Sequence, residues 1–147
     1  MFKKILIPTD GSAVSRKAIK DGIKLAHALG AKVIGYYAMV MLQPSVFGDG
    51  DSIDKGIERE LERMARTTGE KYLDEIAGAA AAAGVEYSGF ISKPASAYEG
   101  IIDAAKAKHC DAIFIASRGR SEIKKLLLGS VTQKVLSHSQ VPVIVHR

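Results

Sequence analysis

The run Asp111-Ala112-Ile113-Phe114-Ile115-Ala116 is apolar without alternation after its first residue. A strand with one wet face alternates apolar and polar residues. An unbroken apolar strand has to be covered on both faces, as helices cover a parallel sheet. The rest of the chain repeats the pattern such a sheet needs. Residues 4–8 are a short apolar run closed by the turn cluster Thr9-Asp10-Gly11-Ser12. A helical stretch follows, with Val14, Ala18, Leu25 and Leu29 on one face, widened by Ile19, Ile23 and Ala26, and with Gly30 as its stop. Residues 31–39 form a second strand. Pro44, Gly48 and Gly50 make residues 42–52 a loop. The periodicity then predicts a long helix from about Ile53 to Ala83, with a buried stripe of Ile57, Leu61, Met64, Thr68, Tyr72 and Ile76. Gly69 and Gly78 each weaken it by about 1 kcal/mol relative to alanine. A third strand spans 85–92. Ser96-Ala97-Tyr98-Glu99 has capping-box spacing and opens a helix with Tyr98, Ile101, Ile102 and Ala105 on its inner face. After the loop 117–121, helical pieces run to about Leu128 and from Ser130 to Ser137. Residues 141–146 close the chain as a fifth strand.

Strands alternating with helices are βαβ units, so the chain is predicted to be an α/β protein with a mainly parallel, doubly wound sheet of five strands and four helical connections. A chain of 147 residues makes one domain, 1–147, large enough to bury a core without staples. The 47% apolar and 25% charged fractions exclude a disordered chain. The one cysteine, Cys110, excludes an internal disulfide and a thiolate zinc site. No stretch reaches the roughly 18 apolar residues of a membrane span. Pro8 and Asp10 end the run after Lys3-Lys4 too early for a signal peptide. The expectation is a soluble, cytoplasmic protein with no membrane partner.

The net charge of +5 is unevenly spread. Residues 49–75 carry nine acidic and five basic side chains, whereas residues 117–147 hold six basic residues against Glu122. A basic C-terminal third attracts nucleic acid, acidic lipid or a phosphorylated small molecule. Aromatics make up only 6% and tryptophan is absent, which leaves few platforms for stacking bases, so no nucleic-acid partner is expected. In doubly wound sheets, ligands bind beyond the carboxyl ends of the strands where strand order reverses. Two post-strand loops have suitable chemistry, residues 9–12 and 117–121. In the second, a buried strand empties into Ser117-Arg118-Gly119-Arg120-Ser121, and Gly129-Ser130 then opens a helix. Glycine lets backbone N–H groups approach an anion, and a helix N-terminus adds unpaired donors and the positive end of a dipole. Ser130 can cap that helix or donate to a phosphate oxygen. The competing explanation is a turn followed by an ordinary capped helix.

At this point the sequence resembles the universal stress protein family. Residues 3–12 are similar to that family's opening strand and loop. Ser117-Arg118-Gly119-Arg120-Ser121 with Leu127-Leu128-Gly129-Ser130-Val131 resembles its nucleotide motif, and residues 135–138 and 141–145 resemble its last helix and strand. The ATP-binding subgroup carries glycine, two residues, glycine, nine residues, glycine, then Ser or Thr. Gly119, Gly129 and Ser130 match that pattern, and Ala116 stands at the first glycine. The resemblance implies a Rossmann-like fold of the adenine-nucleotide α-hydrolase type, with strand order 3-2-1-4-5 and an adenine nucleotide at the strand 1/strand 4 switch point. It implies Pro8, Thr9 and Asp10 on the adenosine side, with Asp10 toward the ribose hydroxyls, and Ala38 at the adenine. It implies Ala116, Ser117, Arg118 and Gly119 beside the ribose and α-phosphate, with Arg120 and Ser121 completing the loop. Gly129, Ser130 and Val131 would hold the distal phosphates. If the first glycine position needs φ > 0, alanine costs on the order of 1 kcal/mol there. If glycine serves only close approach, the methyl sits against the ribose.

The implied ligand is ATP or AMP, with or without Mg2+, in a regulatory role within a stress response. The implied assembly is a homodimer through the C-terminal strand, serving an unknown protein partner. A stress factor that binds no nucleotide and acts through protein contacts stays open, as does a slow ATPase. The absence of a placed general base favours binding over turnover. No Walker A sequence and no GxGxxG after a strand occurs. Asp49, Asp51, Asp54 and Glu60 faintly resemble a calcium loop but place Ile53 and Asp54 at its fifth and sixth positions. His27, His109, His138 and His146 share no metal spacing. Of Tyr36 and Tyr37, which alternate in a strand, one is expected in the core.

Overall fold

The apolar runs become five parallel strands of one sheet. The computed structural model describes residues 1–41, 54–120 and 127–147. The elements are β1 (Lys4–Pro8), α1 (Ala13–Leu29), β2 (Lys32–Ala38), α2 (Lys55–Ala83), β3 (Tyr87–Ser92), α3 (Ala97–Ala107), β4 (Ala112–Ala116), α4 (Ser130–His138) and β5 (Val143–His146). The strand order is β3-β2-β1-β4-β5 and every pairing is parallel. The chain winds outward from β1 through β2 to β3, then returns to β4 on the other side of β1. The order therefore reverses between β1 and β4, as the sequence resemblance implied.

Both faces of the sheet are covered, which is why its central strands need no alternation. Ile5, Ile7 and Phe114 pack under α1 and α2 with Ile19, Ile23, Leu73 and Ile76. Leu6, Ile34, Ile113 and Ile115 pack under α3 and α4 with Ile101, Ala104 and Val135. All five residues of β4 are buried.

The helix stripes depart from the periodicity reading. In α2, Ile57, Leu61 and Met64 are exposed, at 56%, 47% and 55% of their surface. The buried residues are Gly69, Leu73, Ile76 and Ala80. Only the C-terminal half of this 29-residue helix lies on the sheet, so the apolar pattern of its N-terminal half meets no core among the described residues. In α1 the buried face is Ser15, Ala18, Ile19, Gly22, Ile23 and Ala26, and Leu29 is exposed. Small residues centre the contact because the helix lies close to the sheet. A Cβ at Gly22 would meet Ile7 Cδ1 at 2.8 Å and Phe114 at 3.0 Å.

Gly30 ends α1 in a left-handed conformation, as its position predicted, and Gly84 ends α2 in the same way. Asp54 caps α2 by accepting from the Gly56 amide, which gives a structural role to one of the residues in the calcium-like spacing. The capping box at α3 does not form: Ser96 Oγ donates to Glu99 Oε2 at 2.7 Å instead of serving the backbone. The helical piece predicted before Leu128 falls largely on residues 121–126, outside the described residues. Leu127 and Leu128 are not helical. Among the described residues no helix is long and apolar enough to cross a membrane.

Candidate functional site

β1 ends at Pro8, and the next four residues turn the chain into α1. Thr9 is buried, and its amide donates to the Tyr36 carbonyl at 2.9 Å. Its Oγ1 accepts from the Gly11 amide at 3.1 Å and from Ser15 Oγ at 3.2 Å, so the turn satisfies itself internally. Gly11 has φ +77°, in the left-handed region that favours glycine, and any Cβ there would overlap the Tyr72 ring. Ser12 caps α1 by accepting from the Ser15 amide at 3.1 Å.

Asp10 joins the two loops. Its Oδ1 accepts from the Ser12 amide at 2.9 Å, the turn bond that its sequence position alone suggests. Its Oδ2 accepts from the Arg120 amide at 2.8 Å, 110 residues away. A carboxylate has about four lone-pair sites, so two remain for further donors. Gly119 lies against the same carboxylate. A Cβ there would come within 2.8 Å of Asp10 Oδ2, which accounts for glycine at this motif position by close approach.

The β4 end is built by the adjoining strand and helix. The Ser117 amide donates to the His146 carbonyl at 2.8 Å, and the Ser117 carbonyl accepts from the Gly129 amide at 2.7 Å. Thr132, buried in the first turn of α4, donates its hydroxyl to the Ala116 carbonyl at 2.8 Å. These bonds aim the start of α4 at the loop after β4. Gly129 is the N-cap, with an extended backbone, and Ser130 is the first helical residue, so Ser130 is not the cap. Ala116 is an ordinary strand residue paired with His146. Among the described residues His109 is the one non-glycine residue with positive φ. Alanine at the first motif position therefore carries no left-handed strain.

Between these loops lies a cavity of about 130 Å³ at the carboxyl end of the sheet. Its lining brings together eight residues named from sequence: Pro8, Thr9, Asp10, Ala38, Ala116, Arg118, Gly119 and Val131. Ser117, Arg120, Gly129 and Ser130 are not part of its wall. The amides of Ser117, Arg120 and Gly129 are already committed to protein acceptors. Ser121 lies outside the described residues. Sequence reasoning missed Ser15, Tyr37, Ala97, Ile101, Ile115 and Thr132 as lining residues. Tyr36 is fully buried and bonds Ser92 Oγ at 2.6 Å, so it is the core member of the tyrosine pair, yet it too reaches the cavity wall. Burial pushes the Tyr37 hydroxyl above its ordinary range, with Tyr72 adding to the effect and Arg120 opposing it.

Among the described residues the cavity wall is mostly apolar, with one carboxylate, one guanidinium and the hydroxyls of Thr9, Ser15, Tyr36, Tyr37 and Thr132. That combination holds a flat apolar group beside a hydroxylated and anionic one. Glycine at 119 leaves room beside the carboxylate. The first-turn amides of α4, which no intrahelical carbonyl can serve, face the same end of the sheet. Among the described residues no cluster of three or more His, Cys, Asp or Glu side chains is placed to hold a metal ion.

The fold defines a doubly wound α/β protein with a cavity at its switch point, the place where ligands of such sheets bind. The model of the universal stress protein family matches residues 1–147, and the chain belongs to that family. It is 32% identical over 154 aligned residues to universal stress protein YxiE of Bacillus subtilis (strain 168), covering 100% of both chains. It is 30% identical over 145 residues to universal stress protein MJ0531 of Methanocaldococcus jannaschii, covering 99% of this chain and 82% of that one. The solved structure of MJ0577, from the same archaeon, aligns at a TM-score of 0.81 and 27% identity, over 99% of this chain and 95% of that one. Three more distant solved structures share the fold. One is a universal stress protein in complex with cAMP (23% identity, TM-score 0.68, 99% and 97% covered). The second is the Archaeoglobus fulgidus protein in complex with dAMP (20%, 0.61, 99% and 98%). The third is an Arabidopsis thaliana family protein with AMP bound (16%, 0.69, 97% and 90%).

Proposed function

We propose that this chain binds an adenine nucleotide, AMP or ATP, in the cavity between β1 and β4, and that the nucleotide is a regulatory ligand in a cytoplasmic stress response. The observation that carries this reading is the meeting of Asp10, Ala38, Ala116, Arg118, Gly119 and Val131, from five separate elements and loops, around one cavity at the switch point. The adenine nucleotides held by three solved relatives of the same fold support it. Asp10 would receive the ribose hydroxyls on the lone pairs that its two amide donors leave unused. Ala38 and Tyr37 would flank the base. Arg118 and the first turn of α4 would meet the phosphates, and Mg2+ would arrive on the phosphates of ATP instead of in a protein cage.

Binding without turnover fits the lining. Among the described lining residues Asp10 is the one carboxylate, and both its oxygens already accept amide protons, which suits an orienting acceptor better than a general base. The terminal strand β5 is an edge of the sheet, and we place the homodimer contact there.

Isothermal titration of the purified protein with AMP and with ATP tests the reading. Binding that weakens by about 1.5–3 kcal/mol in Asp10→Ala, the scale of hydrogen bonds to a charged group, supports it. Absence of heat with either nucleotide overturns it and leaves a factor that acts through protein contacts.

A further inference from the structure

Tyr72 lies on α2, outside every motif the sequence displays, and its ring packs over the turn that carries Asp10. It sits over Gly11, where a Cβ would overlap it. It meets Tyr37, a cavity residue, edge to face with ring centroids 5.8 Å apart. Its hydroxyl accepts from Arg120 Nη2 at 3.0 Å. The same Arg120 gives its backbone amide to Asp10 Oδ2 at 2.8 Å. One residue of the loop after β4 is thus held at two points, its side chain by α2 and its backbone by Asp10. One helical turn further along α2, Glu75 forms a two-pronged pair with Arg16 of α1 at 2.8 and 3.1 Å, which fixes α2 against the helix that follows the Asp10 turn.

We propose that Tyr72 is a positioning residue of the nucleotide site: by holding Arg120 it keeps the Arg120 amide on Asp10 and so aims the carboxylate's free lone pairs at the ribose hydroxyls. This rests on the nucleotide reading given above. Ser12 fixes one carboxylate oxygen from its own turn, and Arg120 fixes the other from across the switch point. With both fixed, the plane of the carboxylate is set before the ligand arrives, and preorganised acceptors bind more tightly than those that must be ordered on binding. Tyr72→Phe keeps the ring on Gly11 and against Tyr37 but deletes the acceptor for Arg120.

The test compares AMP with 2′,3′-dideoxyadenosine monophosphate, which lacks both ribose hydroxyls, by calorimetry on the parent, Tyr72→Phe, Arg120→Gln and the double variant. Arg120 is exposed, so Arg120→Gln carries the test even if Tyr72→Phe loosens α2. The expected result is a loss of AMP affinity of about 3- to 10-fold in each single variant, the scale of one net hydrogen bond. The double variant should lose no more than the larger single loss, because both remove the same hydrogen bond. Affinity for the dideoxy nucleotide should stay within about twofold throughout. Equal losses for the two nucleotides would mean that Tyr72 acts as general packing, and unchanged AMP affinity would mean that the contact does nothing; either overturns the proposal while the nucleotide reading stands. A parent that binds neither AMP nor ATP overturns both.

Discussion

Gly119 and Ala116 occupy two glycine positions of the nucleotide motif, and the structure separates their roles. A side chain at 119 runs into Asp10 Oδ2, whereas Ala116 sits in ordinary strand backbone. Gly119→Ala should therefore push Asp10 off its Arg120 bond and weaken AMP binding by about 1.5–3 kcal/mol, the scale of a hydrogen bond to a charged group, as calorimetry can check. Ala116→Gly should bring no relief of strain. It should lower stability by about 0.5–1 kcal/mol, as glycine does inside a strand, and urea unfolding measures that directly. Cys110 offers a third test at this scale. Burial pushes its thiol up to about 11, with Asp111 adding to the shift and Lys4 and Lys108 opposing it. A group whose neutral form is favoured by folding leaves stability intact below its unfolded value, near 9. Stability is then lost as pH rises from there toward about 11. The thiol should resist alkylation at pH 8 in the folded protein and react at the rate of a free thiol in urea.

Among the elements, α2 shows how tertiary contact reverses local preference. Helix propensity alone says that Gly69→Ala stabilises by about 1 kcal/mol. In the folded chain Gly69 is buried, and a Cβ there would overlap the Tyr37 ring. The substitution is expected to destabilise by about 1–3 kcal/mol through overpacking, and to disturb the cavity that Tyr37 lines. Thermal melts give the first effect and AMP titration the second. Gly78, with nothing within 4 Å of a Cβ, should follow propensity instead, so Gly78→Ala is the matched control. The two glycines look alike in the sequence; only the strand packed beneath the helix distinguishes them.

For the whole molecule, ligand and fold are linked. A nucleotide that binds only the folded state stabilises it by about 2.7 kcal/mol at one hundred times its dissociation constant. In a domain of this size that raises the melting temperature by about 5–10 °C. AMP or ATP should produce that shift in the parent and a smaller one in Asp10→Ala. The proposed dimer places β5, whose Val143, Ile144 and Val145 are half-buried, at a sheet edge open to pairing. Light scattering at micromolar concentration should give twice the chain mass, and a monomer mass would remove β5 from that role.

The unbroken apolar run 112–116 and its alternation with helical stretches determined the doubly wound class, because burial on both faces is written into residue type alone. The loops at 9–12 and, among the described residues, 117–120 were visible for the same kind of reason: glycine, serine, aspartate and arginine after a buried strand announce a turn with polar chemistry. The strand order and the cavity residues Pro8, Thr9, Asp10, Ala38, Ala116, Arg118, Gly119 and Val131 came from resemblance to a family, and the structure gathers those residues at one cavity. Tertiary structure alone decided which half of α2 meets the sheet, because periodicity marks an apolar face without saying whether a neighbour reaches it. It alone brought Tyr72 to Gly11 and Arg120 to Asp10, contacts spanning 61 and 110 residues. No local pattern encodes such pairs. They exist because the winding of the chain around β1 carries two distant loops and one helix to the same end of the sheet.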